Sequence, residues 1–237
     1  MVPPSHSDTP ETDLDARHRL IRAGLEVFGH YSFDGATTRM LASEAGVNLA
    51  GIPYYFGSKE ALYHAVLQYI VDQIRLRAGK DMSEVRAQLD GGAVDPAQAL
   101  QLLHRLFGAV ARTMLGTAEA KHWGRLMMRE QMEPSAGYEL LYEQLLQPMQ
   151  EMAGRLVAIV IDRDPRDSEV ILRTHALVGQ ILAFRAARET ICRRLRVKDL
   201  SADHVDQIQA IIEEHVELIL LALRLRADGS RKGRTDR

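Results

Sequence analysis

Residues 37–62 read TTRMLASEAGVNLAGIPYYFGSKEAL, and this stretch narrows the possible folds more than any other. Thr37 or Thr38 can cap a first short helix through its hydroxyl. Met40, Leu41, Ala42 and Ala45 form an inward stripe, and Ala42 is small enough for a crossing helix to come close. Gly46 follows where a helix must end in a left-handed residue. Val47 turns inward, Asn48 can cap a second helix, and Ile52 and Phe56 supply that helix's buried side. Gly57 ends it and Ser58 caps a third, which Leu62, Ala65, Val66 and Tyr69 carry into a core. Two short helices at a steep angle, with a longer one behind, make a helix-turn-helix. The second helix of such a unit lies in the major groove of DNA.

The remaining chain repeats its apolar residues at three- and four-residue spacing and hardly alternates, so the fold class is all-α. A first helix is expected over residues 13–30, with Leu20, Ala23, Gly24, Val27 and Phe28 inward. The helix opened by Ser58 should reach about residue 80, and the polar, glycine-bearing stretch 79–94 reads as a loop or hinge. Asp95-Pro96 starts another helix, to about residue 115, and a further one covers 119–131. Pro148 should kink or divide the segment 135–161. Asp164-Pro165 opens a helix to about residue 194, and Ser201 caps the last, which is expected to end near residue 226. The organisation predicted is a disordered arm (1–12), a three-helix DNA-binding domain (13–60, with the helix 58–80 as connector), a helical bundle (81–227) and a basic tail (228–237).

Both final helices are apolar around most of their circumference, and such a helix must be covered all round. One side can pack on its own domain while the other meets a second copy, giving a four-helix bundle across a two-fold axis. Leu177, Ile181 and Phe184 of one helix, and Ile212, Ile219 and Leu223 of the other, are taken as that interface. A core helix pair within a monomer is the alternative.

Other function classes find little support. A net charge of −2 over 237 residues does not suit a nonspecific nucleic-acid coat, although Arg17, Arg19, Arg22, Arg39 and Lys59 could make a local basic face. Cys192 is the one cysteine, so no intrachain disulfide can form and a reducing cytoplasm fits. No apolar run has the length of a membrane span, and the start lacks an apolar signal region, so no membrane partner is expected. The histidines are far apart and have no cysteine partners, so no metal site is predicted. Asp162, Asp164 and Asp167 imitate a calcium loop that Pro165 and a missing glycine spoil. There is no glycine-rich phosphate loop and no nucleophile elbow. No cofactor is expected, and the chain is read as a non-enzyme.

Residues 19–69 resemble the DNA-binding domain of the TetR family of transcriptional regulators. The resemblance rests on Phe28-Gly29, on Gly35-Ala36-Thr37-Thr38, on Ala45-Gly46-Val47 and on the run from Tyr54 through Gly57, Ser58 and Lys59 to Leu62. The second half, through Glu130-Gln131-Met132-Glu133-Pro134, Tyr138, Tyr142, Pro148, Asp162-Arg163-Asp164-Pro165, Gly179-Gln180, Phe184-Arg185 and Arg188-Glu189, resembles the C-terminal domain of the CecR-like subgroup.

That resemblance implies double-stranded operator DNA as a partner. Thr38 would hold a phosphate, and Arg39 would reach a base edge or the backbone. Asn48, Leu49, Ala50 and Gly51 would open the recognition helix, Asn48 being either its cap or a base reader. Tyr54, Tyr55 and Lys59 would contact phosphates. Pro53 stands where the family commonly has tyrosine, so the reading surface is unusually apolar, and thymine methyl groups and DNA shape should matter more than a bidentate side chain. The family also encloses a small molecule in its C-terminal bundle. Candidate lining residues for a hydrophobic or amphipathic effector are His104, Phe107, Trp123, Met127, Met128, Tyr138, Tyr142, His175 and Phe184. Arg125, Arg129, Arg185 and Arg188 either pair with Glu130, Glu139 or Glu189 or meet an anionic ligand. The expectation is a homodimeric repressor released from a palindromic operator by its effector; an effector-independent regulator or activator, and lastly a helical enzyme, are the rivals.

Overall fold

The computed structural model describes residues 10–116 and 120–235. Most of the expected N-terminal arm and the last two residues of the expected tail lie outside the described residues. Among those described there are helices and one π-helical turn, and no strand. The helices are α1 (Pro10–Gly35), α2 (Thr38–Ala45), α3 (Gly51–Phe56), α4 (Lys59–Asp90), α5 (Pro96–Leu115) and α6 (Ala120–Met132). They continue as α7 (Tyr138–Leu141), the π turn (Tyr142–Leu146), α8 (Gln147–Ile161), α9 (Ser168–Ala186), α10 (Arg188–Leu195) and α11 (Ala202–Thr235).

The chain divides into two compact units, residues 1–72 with 121–141, and 73–120 with 142–237. Residues 121–141, expected with the C-terminal bundle, therefore cluster with the N-terminal helices. The reason is local: Glu130 of α6 is buried and accepts a hydrogen bond from Tyr63 on α4.

In the first unit, Leu20, Phe28, Leu41, Ile52, Leu62, Leu67 and Ile70 are fully buried. Phe28 meets Tyr63 edge-on with ring centroids 4.8 Å apart, a geometry worth about 0.5–1.5 kcal/mol beyond its buried area. α1 does not stop at residue 30 as expected. It continues to Gly35 across a break at Ser32 (φ 62°, ψ 175°), whose Oγ accepts from Gly35 N at 3.4 Å.

In the second unit, α5 and α8 form the centre, with Leu103, Leu106, Phe107, Leu156 and Val157 buried. The expected loop over 79–94 is helical as far as Asp90. Val85 and Leu89 lie one turn apart on the buried side, Asp81 and Glu84 pair with Arg105, and Arg155 donates to Leu89 O (3.1 Å) and Asp90 (2.8 Å) at the end of α4. Those contacts outweigh the glycine at 79.

Asp95 caps α5 by accepting from Ala97 N and Gln98 N at 2.8 and 2.9 Å, and Gln98 Oε1 accepts in return from Asp95 N, a full capping box. Pro148 has no N–H to offer the Gln144 carbonyl four residues back. The chain answers with the π turn, and Arg75 donates to Gln144 O at 3.2 Å.

The helix expected from residue 164 to 194 begins at Ser168 and breaks at Ala187 into α9 and α10, which are bent by 63°. No glycine or proline marks that break. Arg188 sits at it, donating to Leu115 O at 3.2 Å and pairing with Asp199. α11 runs to Thr235 and not to about 226, since no proline interrupts it. Among the described residues no single helix is long and apolar enough to cross a membrane.

Candidate nucleic-acid interface

The site is built on the corner between α2 and α3. Thr37 caps α2, its Oγ1 accepting from Met40 N at 3.2 Å. At the other end Gly46 is left-handed (φ 62°, ψ 37°), Gly46 N donates to Ser43 O and Val47 N donates to Ala42 O. This paired closure is the Schellman motif, whose left-handed position a residue without Cβ takes at the least cost. Asn48 Oδ1 then accepts from Ala50 N at 3.1 Å, so the asparagine acts as a turn cap.

α3 is six residues long and is anchored by Ile52, which is buried. Because one face of so short a helix is used for anchoring, the other must point outward. Thr38, Arg39, Asn48, Leu49, Ala50, Pro53 and Tyr54 are exposed, Tyr54 at 72%, while Gly51 and Tyr55 are half-buried. The Tyr54 and Tyr55 rings meet edge-on at 4.8 Å. Phe56, expected in the core, is half-buried, and the Arg17 guanidinium lies 5.1 Å from its ring centroid. Arg19 is engaged by Asp15 at 3.4 Å.

Lys59 departs most from expectation. Its Nζ donates to Phe33 O at 3.0 Å and Ala36 O at 3.1 Å, and lies 4.3 Å from the Phe33 ring centroid. Two of its three donors hold the α1–α2 corner. The surface combines hydroxyls and a guanidinium suited to phosphate with a strip formed by Leu49, Ala50 and Pro53 suited to methyl groups.

The nine expected effector residues are divided between the units. Trp123, Met127, Met128 and Tyr138 belong to the first, and His104, Phe107, Tyr142, His175 and Phe184 to the second. Phe107 and Trp123 are buried; Tyr142 and His175 are exposed. Among the described residues, His104 Nε2, Trp123 Nε1 and Thr174 Oγ1 are buried polar atoms without a hydrogen-bond partner.

Three of the four arginines bond to backbone carbonyls, and Arg188 also pairs with a carboxylate, that of Asp199. Arg125 reaches His30 Nε2 (3.0 Å), Arg129 the carbonyls of Gly29 and His30, Arg185 the carbonyl of Ala120 (2.6 Å), and Arg188 reaches Leu115 O and Asp199. Leu115 ends α5, and a helix-end carbonyl lacks an intrahelical partner, which the charge pattern of the sequence does not display.

Leu177, Ile181 and Ile212, expected at a dimer interface, are buried inside the second unit. The apolar side chains that α9 and α11 leave uncovered are Ile171, Leu172, Ile211, Leu218, Ile219, Leu221 and Leu225; Phe184 and Leu223 are half-buried. His215 Nδ1 and Gln180 Oε1, 2.9 Å apart, tie the two helices together.

The bonds that Tyr63, Glu130 and Ser135 share were not among the expectations. The signal was there: Glu130 falls on the same helical stripe as Trp123 and Leu126, an apolar face where a carboxylate needs donors.

Comparison with known proteins agrees with this architecture. A family profile described as bacterial regulatory proteins, tetR family, matches residues 20–66. A second, described as the C-terminal domain of the HTH-type transcriptional dual regulator CecR, matches residues 98–223. The CecR protein of Shigella flexneri is 36% identical over 212 residues, covering 90% of this chain and 94% of that one. Among solved structures, HlyIIR, a hemolysin II transcriptional regulator, aligns with TM-score 0.55 at 17% identity, covering 84% of this chain and 97% of its own. A TetR-like regulator from Rhodococcus sp. RHA1 aligns with TM-score 0.53 at 15% identity, covering 85% and 93%. These two likenesses concern the fold alone.

Proposed function

Because this chain belongs to the TetR family of transcriptional regulators, with a C-terminal domain of the CecR type, we propose that it is a homodimeric, effector-responsive repressor that leaves a palindromic operator when a small molecule binds. The observation that carries this is the exposed row Leu49, Ala50, Pro53 and Tyr54, which runs from the turn into α3 and is fixed from behind by Ile52 and from in front by the Gly46 turn. In this reading Thr38, Arg39, Tyr54 and Tyr55 take phosphates, while Leu49, Ala50 and Pro53 read thymine methyl groups and groove shape.

The apolar side chains on α9 and α11 support the dimer. Leu172, Leu218 and Leu225 are 69%, 59% and 72% exposed, and a two-fold partner would cover them. A two-fold pair of heads about 34–36 Å apart would enter successive major grooves. The effector would be hydrophobic or amphipathic, held in the C-terminal domain, and would weaken operator binding only by its differential affinity for two conformations. The site of action is the cytoplasm, and no catalytic step is involved.

A second reading is favoured by the word "dual" in the name of the Shigella relative. Here one protein represses some promoters and activates others, by operator position.

Selection of duplexes from a random pool, followed by sedimentation of the complex, tests the first reading. An inverted repeat bound by two protomers is expected. A single half-site bound by one protomer would contradict it.

A further inference from the structure

We propose that the charges of α11 make it self-complementary in the antiparallel sense, so that carboxylates of its first half meet arginines of its second half on a second copy of this chain. This rests on the dimer proposed above. It adds the direction of pairing and the means by which a protomer selects its own kind.

Charge on α11 is segregated along its length. Residues 203–217 contain Asp203, Asp206, Glu213, Glu214 and Glu217 and no lysine or arginine. Residues 224–234 contain Arg224, Arg226, Arg231, Lys232 and Arg234 against one carboxylate, Asp228. α11 runs on past residue 223, where the match to the CecR domain ends, so the basic half lies outside that match. The helix dipole favours this order of signs, but it acts only within the first and last turns. Glu213, Glu214 and Glu217 stand about three turns or more from the start of the helix. Asp203, Asp206, Glu214 and Glu217 are exposed, and none of them bonds to another side chain among the described residues. Glu214 and Arg226 are roughly 18 Å apart along the axis, too far to pair within one chain.

On the same helix Ile211, Leu218, Ile219, Leu221 and Leu225 are uncovered. Ile211, Leu218 and Leu225 recur every seven residues, the period of a seam between two paired helices. A two-fold axis through Leu218 sets that leucine against its counterpart and sets Ile211 against the partner's Leu225. The same register brings Glu214 within about one turn of the partner's Arg226, and symmetry makes this contact twice. Parallel pairing would lay like charge on like charge in both halves.

The test is sedimentation equilibrium on the full-length protein in sodium chloride. The wild-type dissociation constant should rise about tenfold between about 0.1 M and 1 M salt, as the screening length falls from ~10 to ~3 Å. Glu214→Arg and Arg226→Glu change exposed positions. Each alone should weaken self-association about tenfold, because two attractive contacts become repulsive. Mixed in equal amounts, the two variants should form heterodimers in preference to either homodimer, since charge is complementary again at both contacts. Self-association of both variants at wild-type strength would overturn the proposal, as would a wild-type constant indifferent to salt. So would an Arg226→Glu protein that dimerises as wild type but loses affinity for a duplex selected from a random pool, which assigns the basic half to DNA. Should a variant not fold, the salt series on wild type still decides. A wild type that stays monomeric fails the dimer and this pairing together, whereas a salt-indifferent dimer fails the pairing alone.

Discussion

Lys59 Nζ donates to the carbonyl of Ala36 at 3.1 Å, joining the first turn of α4 to the residue that precedes the Thr37 cap of α2. A second bond, to Phe33 O, lies on the other side of the same corner. A lysine at this position of a DNA-binding head would ordinarily be assigned to a phosphate, and here it holds the corner.

The two roles separate by salt. Removing a cation from one phosphate should reduce the slope of log affinity against log salt by about 0.9. Lys59→Met is expected to lower operator affinity while leaving that slope close to wild type, and to destabilise the head by about 1–3 kcal/mol through the two carbonyls left without their donor. A slope smaller by a full phosphate, with unchanged thermal stability, would assign the lysine to DNA.

Gly46 at φ 62° predicts that Gly46→Ala costs about 1–2 kcal/mol, the price of a side chain in the left-handed region. Thr37→Ala should cost about 1 kcal/mol by losing the cap on Met40 N. Urea unfolding followed by the single tryptophan, Trp123, which lies in the same unit, measures both.

The uncovered and buried side chains of α9 and α11 should respond in opposite ways. Leu172→Glu or Leu218→Glu changes an exposed position and is expected to yield folded monomers in sedimentation equilibrium. Leu177→Ala opens a cavity in the core, costing about 2–5 kcal/mol, without changing the association state. A dimer that survives both glutamates contradicts the interface.

Tyr63 makes stability depend on alkaline pH. Burial, then the hydrogen bond to Glu130 and its negative charge, hold the phenol well above its ordinary range. The folded state therefore keeps a proton that the unfolded chain gives up near pH 10, and the stability this contributes is complete below that pH and is lost as pH rises above it. Wild type should lose stability above about pH 10 more steeply than Tyr63→Phe in chemical denaturation. Equal slopes would contradict the burial of that hydroxyl.

An apolar reading strip predicts sensitivity to methyl groups. Replacing a contacted thymine by uracil in the selected duplex should cost roughly 0.8 kcal/mol for each methyl carbon buried, and Leu49→Ala should remove part of that difference. A duplex indifferent to every such replacement would place the specificity elsewhere.

The corner between α2 and α3 was legible because its signals are local. A cap at Thr37, a left-handed glycine at 46 and a buried Ile52 each declare themselves within a few positions. What escaped was set by partners distant in sequence. Val85 and Leu89 extend α4 through a glycine because other helices cover them, and the break at Ala187 carries no local breaker, only an arginine bonded to residues 115 and 199. The inward turn of Lys59 depends on carbonyls more than twenty residues earlier. The amphipathic pattern of α9 and α11 showed that both sides would be apolar, and which leucines face the core was decided by helix rotation, which period alone does not fix.

On the proposed function, two α3 helices lie in DNA as a symmetric pair. Hydroxyl-radical footprinting of the selected duplex tests it most directly. Two protected patches, centred about 34–36 Å apart on one face of the duplex and both lost in Tyr54→Ala, are predicted. A single continuous footprint, or protection unchanged by Tyr54→Ala, would contradict it.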